Sequence, residues 1–194
     1  MNSIASEMGQ VLTARTGFGE NISEVFLVAC GGSLVDLYTS RYFLASEARQ
    51  LRADSYTSNE FVHATPRSLG SHSVVILCTH SGGTQETVKA AKIARSAGAF
   101  TVTLTHNEAA RIREVSDYNV IYKWGEDSRV SDNPMAISLS LCVEILQKVE
   151  GYAAHNDFQT SIERIDNIVD KACTAVRERA NAFADKNGNE SLFY

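Results

Sequence analysis

Twice in this chain a short apolar run stops at a glycine-and-hydroxyl turn and passes straight into a helix-forming segment. The first run is Val25-Phe26-Leu27-Val28-Ala29-Cys30, followed by Gly31-Gly32-Ser33 and a helical pattern from Leu34 to about Arg49. The second is Val74-Val75-Ile76-Leu77, followed by Cys78-Thr79-His80-Ser81-Gly82-Gly83-Thr84 and a good helix former ending near Ala97. Runs this short and this continuously apolar suit strands buried on both faces, as in parallel sheets covered by helices. The alternation continues. Strands are expected at 25–30, 54–58, 74–79, 100–105 and 118–123. Helices are expected at 34–49, 84–97, 108–115 and 133–149, with a short turn near 60–64 and a helix stop at Gly98. A further helix is expected over 3–16, with Ile4, Met8, Val11 and Leu12 on one side. The pattern predicts an α/β fold, a doubly wound and mainly parallel five-stranded sheet. Strand order 2-1-3-4-5 sets the first and third strands side by side, so both turns face one crevice at the switch point.

The second turn has its own chemistry. Free N–H groups and the positive end of a helix dipole converge there, beside the hydroxyls of Thr79, Ser81 and Thr84. Such a cradle suits an anion, most naturally a phosphate. The turn holds no Lys or Arg and lacks the Walker pattern, which argues against a nucleotide triphosphatase. The plainer reading is a strand-to-helix turn with Thr84 as N-cap. The Gly32-Ser33 turn, of the same type, favours the phosphate. Neither turn is the G-x-G-x-x-G of a dinucleotide-binding domain.

Composition narrows the class. The chain has 194 residues, 44% hydrophobic and 21% charged, with a formal net charge of −5. That is enough for one sizeable core, and the lack of a basic stripe argues against a nucleic-acid surface. No apolar run approaches transmembrane length, and the first residues do not read as a secretory signal. Cys30, Cys78, Cys142 and Cys173 form no C-x-x-C pair and are expected as buried, reduced thiols of a cytoplasmic protein. The five histidines are scattered, so no metal site is expected.

Near the C-terminus the pattern changes. The helix at 133–149 is apolar around much of its circumference and should be buried in the core or at a subunit interface. Residues 157–184 form one long amphipathic pattern carrying Ile162, Ile165, Val169, Ala172, Val176 and Phe183. It reads either as a terminal helix packed on its own sheet or as a linker to another domain. Ser191-Leu192-Phe193-Tyr194 looks like the start of a strand.

Cys30-Gly31-Gly32-Ser33 together with Thr79-His80-Ser81-Gly82-Gly83-Thr84-Gln85-Glu86-Thr87 resembles the paired phosphosugar loops of SIS (sugar isomerase) domains. Their usual forms are C/G-G-x-S and S-x-S-G-x-T-x-[DE]-T. The resemblance covers about residues 20 to 150. Thr79 stands where Ser is usual, which keeps the hydroxyl, and His80 where Gln is frequent. It implies that Gly32, Ser33, Thr79, His80, Ser81, Gly82 and Thr84 hold the phosphate of a sugar 6-phosphate, with no cofactor, in a homodimer.

Further details resemble the fructosamine-6-phosphate deglycases, relatives of the isomerase half of glucosamine-6-phosphate synthase. These are Ser58-Asn59-Glu60-Phe61 and Glu150-Gly151-Tyr152 before Asp157-Phe158-Gln159. On that resemblance, residues 1–150 are a first SIS domain, 151–190 a helical linker and 191–194 the start of a second domain. The acid/base carboxylate and the ring-opening histidine then belong to that second domain. Within this chain Glu60 and His63 are the catalytic candidates, and the competing role for Glu60 is capping its short helix. His106, Glu108 and His155 are read as surface or locally bonded residues. Residues 125–131 are expected to wall the mouth of the crevice. Other readings are a stand-alone sugar-phosphate isomerase and a non-catalytic sugar-phosphate sensor.

Overall fold

A computed structural model describes residues 22–126 and 128–188. Five strands alternate with helices: β1 Glu24–Ala29, β2 Arg52–Thr57, β3 Ser73–Cys78, β4 Phe100–Thr105 and β5 Tyr118–Ile121. All four strand pairings are parallel, and the order is β2-β1-β3-β4-β5. The expected fold and strand order are therefore both present. Every residue of β1, β3 and β4 is buried, so β1 after Glu24 and β3 run apolar or small, while β4 alternates apolar residues with buried threonines. β2 lies at one edge, and its sequence Arg-Ala-Asp-Ser-Tyr-Thr is mostly polar and partly exposed.

The helices are α1 Gly32–Glu47, α2 Ser58–His63, α3 Gln85–Ser96, α4 Pro134–Glu150, α5 His155–Glu163 and α6 Ile165–Asn187. α1 and α4 cover one face of the sheet, where Leu37, Leu44, Leu141 and Ile145 meet Leu27 and Ile76. α2 and α3 cover the other, where Phe61, Ala90, Ala91 and Ala94 meet Phe26, Val28, Val75 and Leu77. Small alanines on α3 let its backbone approach the sheet closely. Buried hydroxyls are paired across elements: Ser40 donates to Ser138 at 2.8 Å between α1 and α4, and Ser58 meets Thr87 at 2.9 Å between α2 and α3.

Several expectations are corrected. The helix expected over 108–115 is only a 3-10 turn, Arg111–Val115. Asn107 Oδ1 accepts from Ala109 N, and Ile112 N donates to the Gly82 carbonyl, so local bonds replace the helical ladder. The single helix expected over 157–184 is broken at Arg164, whose N–H bonds back to Ser161 O in a 3-10 manner. Asp166 then ties the start of α6 to Ser131. Cys173 is exposed rather than buried, because α6 buries none of its residues. Thr84 occupies the N-cap position of α3 but makes no capping bond there. The expectations for 3–16 and 191–194 lie outside the described residues.

Candidate functional site

β1 and β3 end in register, with Ala29 opposite Cys78. Parallel register therefore brings the Gly31–Ser33 turn and the Thr79–Thr84 loop together. Two contacts join them. The Ser33 side chain lies near enough to the Cys78 thiol to favour its ionised form. Thr87 on α3 donates to Cys30 Sγ at 3.9 Å. Gly31 enters α1 at φ +56, a left-handed conformation that a side chain would strain. Neither α1 nor α3 is capped by its own side chain, and the first turn of α1 has no acidic residue. Both helix starts thus present N–H groups toward the crevice.

The second loop is braced from below. Thr79 N donates to Leu104 O, and the Thr79 and Thr84 hydroxyls lie 3.2 Å apart, which is where the Thr84 side chain is engaged instead of capping. The His80 carbonyl accepts from His106 N and Thr105 Oγ1, and the Ser81 carbonyl accepts from Asn107 Nδ2. Gly82, at φ +70, packs so tightly that an added Cβ would lie 2.0 Å from Ala110 Cβ. Thr79 and Gly82 are buried, Ser33 and Thr84 half-buried, and Gly32, His80 and Ser81 exposed. The structure thus gathers all seven residues expected at the phosphate loops at the carboxyl ends of β1 and β3.

A polar and aromatic cluster flanks the loops. His80 Nδ1 lies 2.8 Å from Tyr122 Oη. Its ring stacks on His106 at 5.1 Å and meets the edge of Trp124 at 4.9 Å. Burial raises the Asp36 carboxyl above its ordinary range, partly offset by nearby His80. Burial pushes the Cys78 thiol up to about 12; Ser33 opposes this and Asp36 adds to it. Burial, with Cys78 and Asp36 nearby, also raises Tyr122. Cys78 and Tyr122 are therefore neutral at physiological pH and act through hydrogen bonds rather than as nucleophiles. Sequence reasoning missed Asp36, Tyr122 and Trp124. The available signal was topological: Thr105 pairs with Ile121, so His106 and Tyr122 leave adjacent strands side by side at the loop end of the sheet.

Glu60 is engaged locally. Its carboxylate accepts from Thr57 N at 2.9 Å and from Thr57 Oγ1 at 2.8 Å, and Glu60 N donates back to Thr57 Oγ1, a capping box on α2. The two bonds from Thr57 hold its carboxyl below the usual range. His63 is exposed in the last turn of α2. Among the described residues no hydrogen bond or ion pair joins either of them to the two loops. His155 bonds Glu144 at 2.8 Å, linking α5 to α4. In segment 125–131, where Asp127 lies outside the described residues, Arg129 and Ser131 engage Asp166 of α6. The neighbour that reaches the loop is Trp124. Among the described residues no group of three or more His, Cys, Asp or Glu gathers to hold a metal.

The family profile described as SIS domain matches residues 21–144, the segment that carries both loops. The chain belongs to the SIS domain family. Fructosamine deglycase FrlB of Bacillus subtilis is 35% identical over 179 residues, 91% of this chain and 54% of that protein. Fructoselysine 6-phosphate deglycase of Escherichia coli O157:H7 is 24% identical over 153 residues, 77% of this chain and 43% of that protein. A candidate phosphosugar isomerase from Salmonella typhimurium LT2, of known structure, matches with a TM-score of 0.90 and 38% identity, covering 96% of this chain and 56% of that one. This SIS chain spans about half the length of the curated relatives it matches. No helix of the described residues is long and apolar enough to cross a membrane.

Proposed function

We propose that this chain is the phosphate-holding half of a fructosamine-6-phosphate deglycase. A 6-phosphorylated Amadori sugar binds with its phosphate between the Ser33 and Ser81 loops. The ring opens, and a proton moves between C1 and C2. Water then hydrolyses the resulting imine to glucose 6-phosphate and the free amine. The observation that carries this reading is the register of β1 and β3, which brings two uncapped helix starts and the loops bearing Ser33, Ser81 and Thr84 to one end of the sheet. The 35% identity to a fructosamine deglycase over nearly the whole chain supports the choice of substrate. The phosphate does not react. It supplies binding energy that positions the sugar carbons.

The proton shuttle needs a group free to exchange a proton within reach of C1 and C2. Glu60, held ionised by its capping box, suits that role poorly. The shuttle and the ring-opening histidine are assigned to a second SIS unit, with Glu60 and His63 as the rival pair. The free thiols fit a cytoplasmic setting, and the exposed Val35, Tyr38 and Tyr42 on α1 fit a homodimer. The test is affinity for a ketosamine 6-phosphate against the same ketosamine without phosphate. Strong preference for the ester is expected. Preference for neither, with tight binding of an unrelated nucleotide, would remove this reading.

A further inference from the structure

We propose that Tyr122 is a positioning residue that fixes His80 as its Nε2–H tautomer, so that the imidazole offers a neutral N–H donor to the anion between the two loops. The proposal rests on the phosphosugar reading of those loops. It begins from a single contact, His80 Nδ1 to Tyr122 Oη at 2.8 Å. Tyr122 is 3% exposed. Its phenol carries one proton, and among the described residues His80 Nδ1 is the acceptor found for it. Were Nδ1 to donate instead, the phenol proton would be buried without an acceptor, and its desolvation would go uncompensated. A phenol is also the better donor of the two and a neutral imidazole nitrogen the better acceptor. The favoured arrangement is O–H to Nδ1, which leaves the ring proton on Nε2.

The ring cannot easily exchange its two edges. It lies against His106 at an 11° interplanar angle and against the edge of Trp124. Its backbone is held by the bonds from His106 N and Thr105 Oγ1 to the His80 carbonyl. The Nε2 edge, on the far side of the ring from Tyr122, has no hydrogen-bond partner among the described residues. His80 sits between Thr79 and Ser81, and Asp36 of α1 is close enough to feel its charge. The free edge is the one left available to a ligand held by the loops. In the opposite tautomer that edge would present a lone pair to an anion and repel it. At this position, where Gln is frequent in SIS loops, a histidine can offer an N–H from its free edge only if that edge bears the proton. Tyr122 supplies that condition without requiring the ring to be charged.

His106 behaves in the opposite way. Its Nδ1 lies 3.4 Å from the Tyr122 carbonyl, which can only accept. The stacked pair thus carries its protons on different nitrogens, set by two atoms of the same tyrosine.

The experiment has two readouts. Long-range proton–nitrogen spectra of labelled protein at pH 8, above the ordinary histidine range, report the tautomer directly, with His80 assigned by its loss in His80→Gln. The wild type should show His80 as Nε2–H; an Nδ1–H pattern overturns the proposal. Calorimetry with glucose 6-phosphate gives the second readout. Tyr122→Phe should weaken binding by roughly three- to tenfold, less than the full loss of a charged hydrogen bond because the donor survives but is no longer held. On a His80→Gln background the same change should alter affinity by less than about twofold. Equal losses on both backgrounds would mean that Tyr122 merely supports the crevice, and the positioning role falls. A wild type with the Nε2–H signature and no affinity for the ester would overturn the phosphosugar reading, and the donor role with it, while the spectrum separately decides the tautomer.

Discussion

Gly82 shows how tightly the second loop is specified at the level of one residue. At φ +70 a side chain is strained, and here the added Cβ would also meet Ala110 at 2.0 Å. Gly82→Ala should destabilise the protein by about 2–4 kcal/mol, the sum of left-handed strain and overpacking. Urea unfolding checks this, and an unchanged midpoint would mean that the loop moves aside. Asp36 is a second such residue. Its folded pKa is raised from 3.8 by burial, so its carboxyl favours the fold while protonated. That contribution is fully present below pH 3.8 and is lost as pH rises through the raised value. Asp36→Asn should therefore raise the melting temperature at pH 7 and leave it nearly unchanged at pH 3. The reverse order of effects would show that the ionised form is the stabilising one.

At the scale of elements, Glu150 joins the end of α4 to the turn that leaves α1. Its carboxylate accepts from Arg49 N and Gln50 N at 2.9 Å and from Leu51 N at 2.6 Å. Burial opposes ionisation, but the three N–H groups and nearby Arg49 outweigh it and hold the carboxyl below 4.5. Its stabilisation is present above pH 4.5 and is lost as pH falls through the depressed value. Glu150→Gln should cost about 1.5–3 kcal/mol at pH 7, a deficit that shrinks on acidification, as denaturation at several pH values will show. The elements differ in how legible they were. β1, β3 and β4 were plain in the sequence because burial on both faces keeps them rich in apolar and β-branched residues, with Glu24 the charged exception. β2 carries little such signal, since an edge strand keeps its polar residues. The break at Arg164 and the 3-10 turn at Arg111 were hidden because single side chains, Asp166 and Asn107, decide them through contacts a helical period does not encode. The two loops were legible because each is local. Asp36, His80 and Tyr122 meet only through strand register, and their cluster became visible only in the folded chain.

Across the whole molecule, the sheet places its polar loops at one end and its apolar mass between two helical layers, while α6 buries none of its residues. Ile168, Val176 and Phe183 on α6 are more than half exposed, as are Tyr38 and Tyr42 on α1. On the proposed reading, the acid/base groups lie in another SIS unit. This chain alone should then release amine from a fructosamine 6-phosphate at a rate lower by orders of magnitude than a complete deglycase, since each positioned acid or base contributes roughly 10²–10⁴-fold. Robust amine release abolished by Glu60→Gln would place the catalytic centre on α2 instead. The account stands most directly on the anion cradle itself. Calorimetric titration with glucose 6-phosphate and with glucose, on the wild type and on Ser81→Ala, measures it. The phosphate ester should bind and the plain sugar should not, and Ser81→Ala should lose about 1.5–3 kcal/mol of that binding. Equal affinity for the two sugars, or no effect of Ser81→Ala, would contradict it.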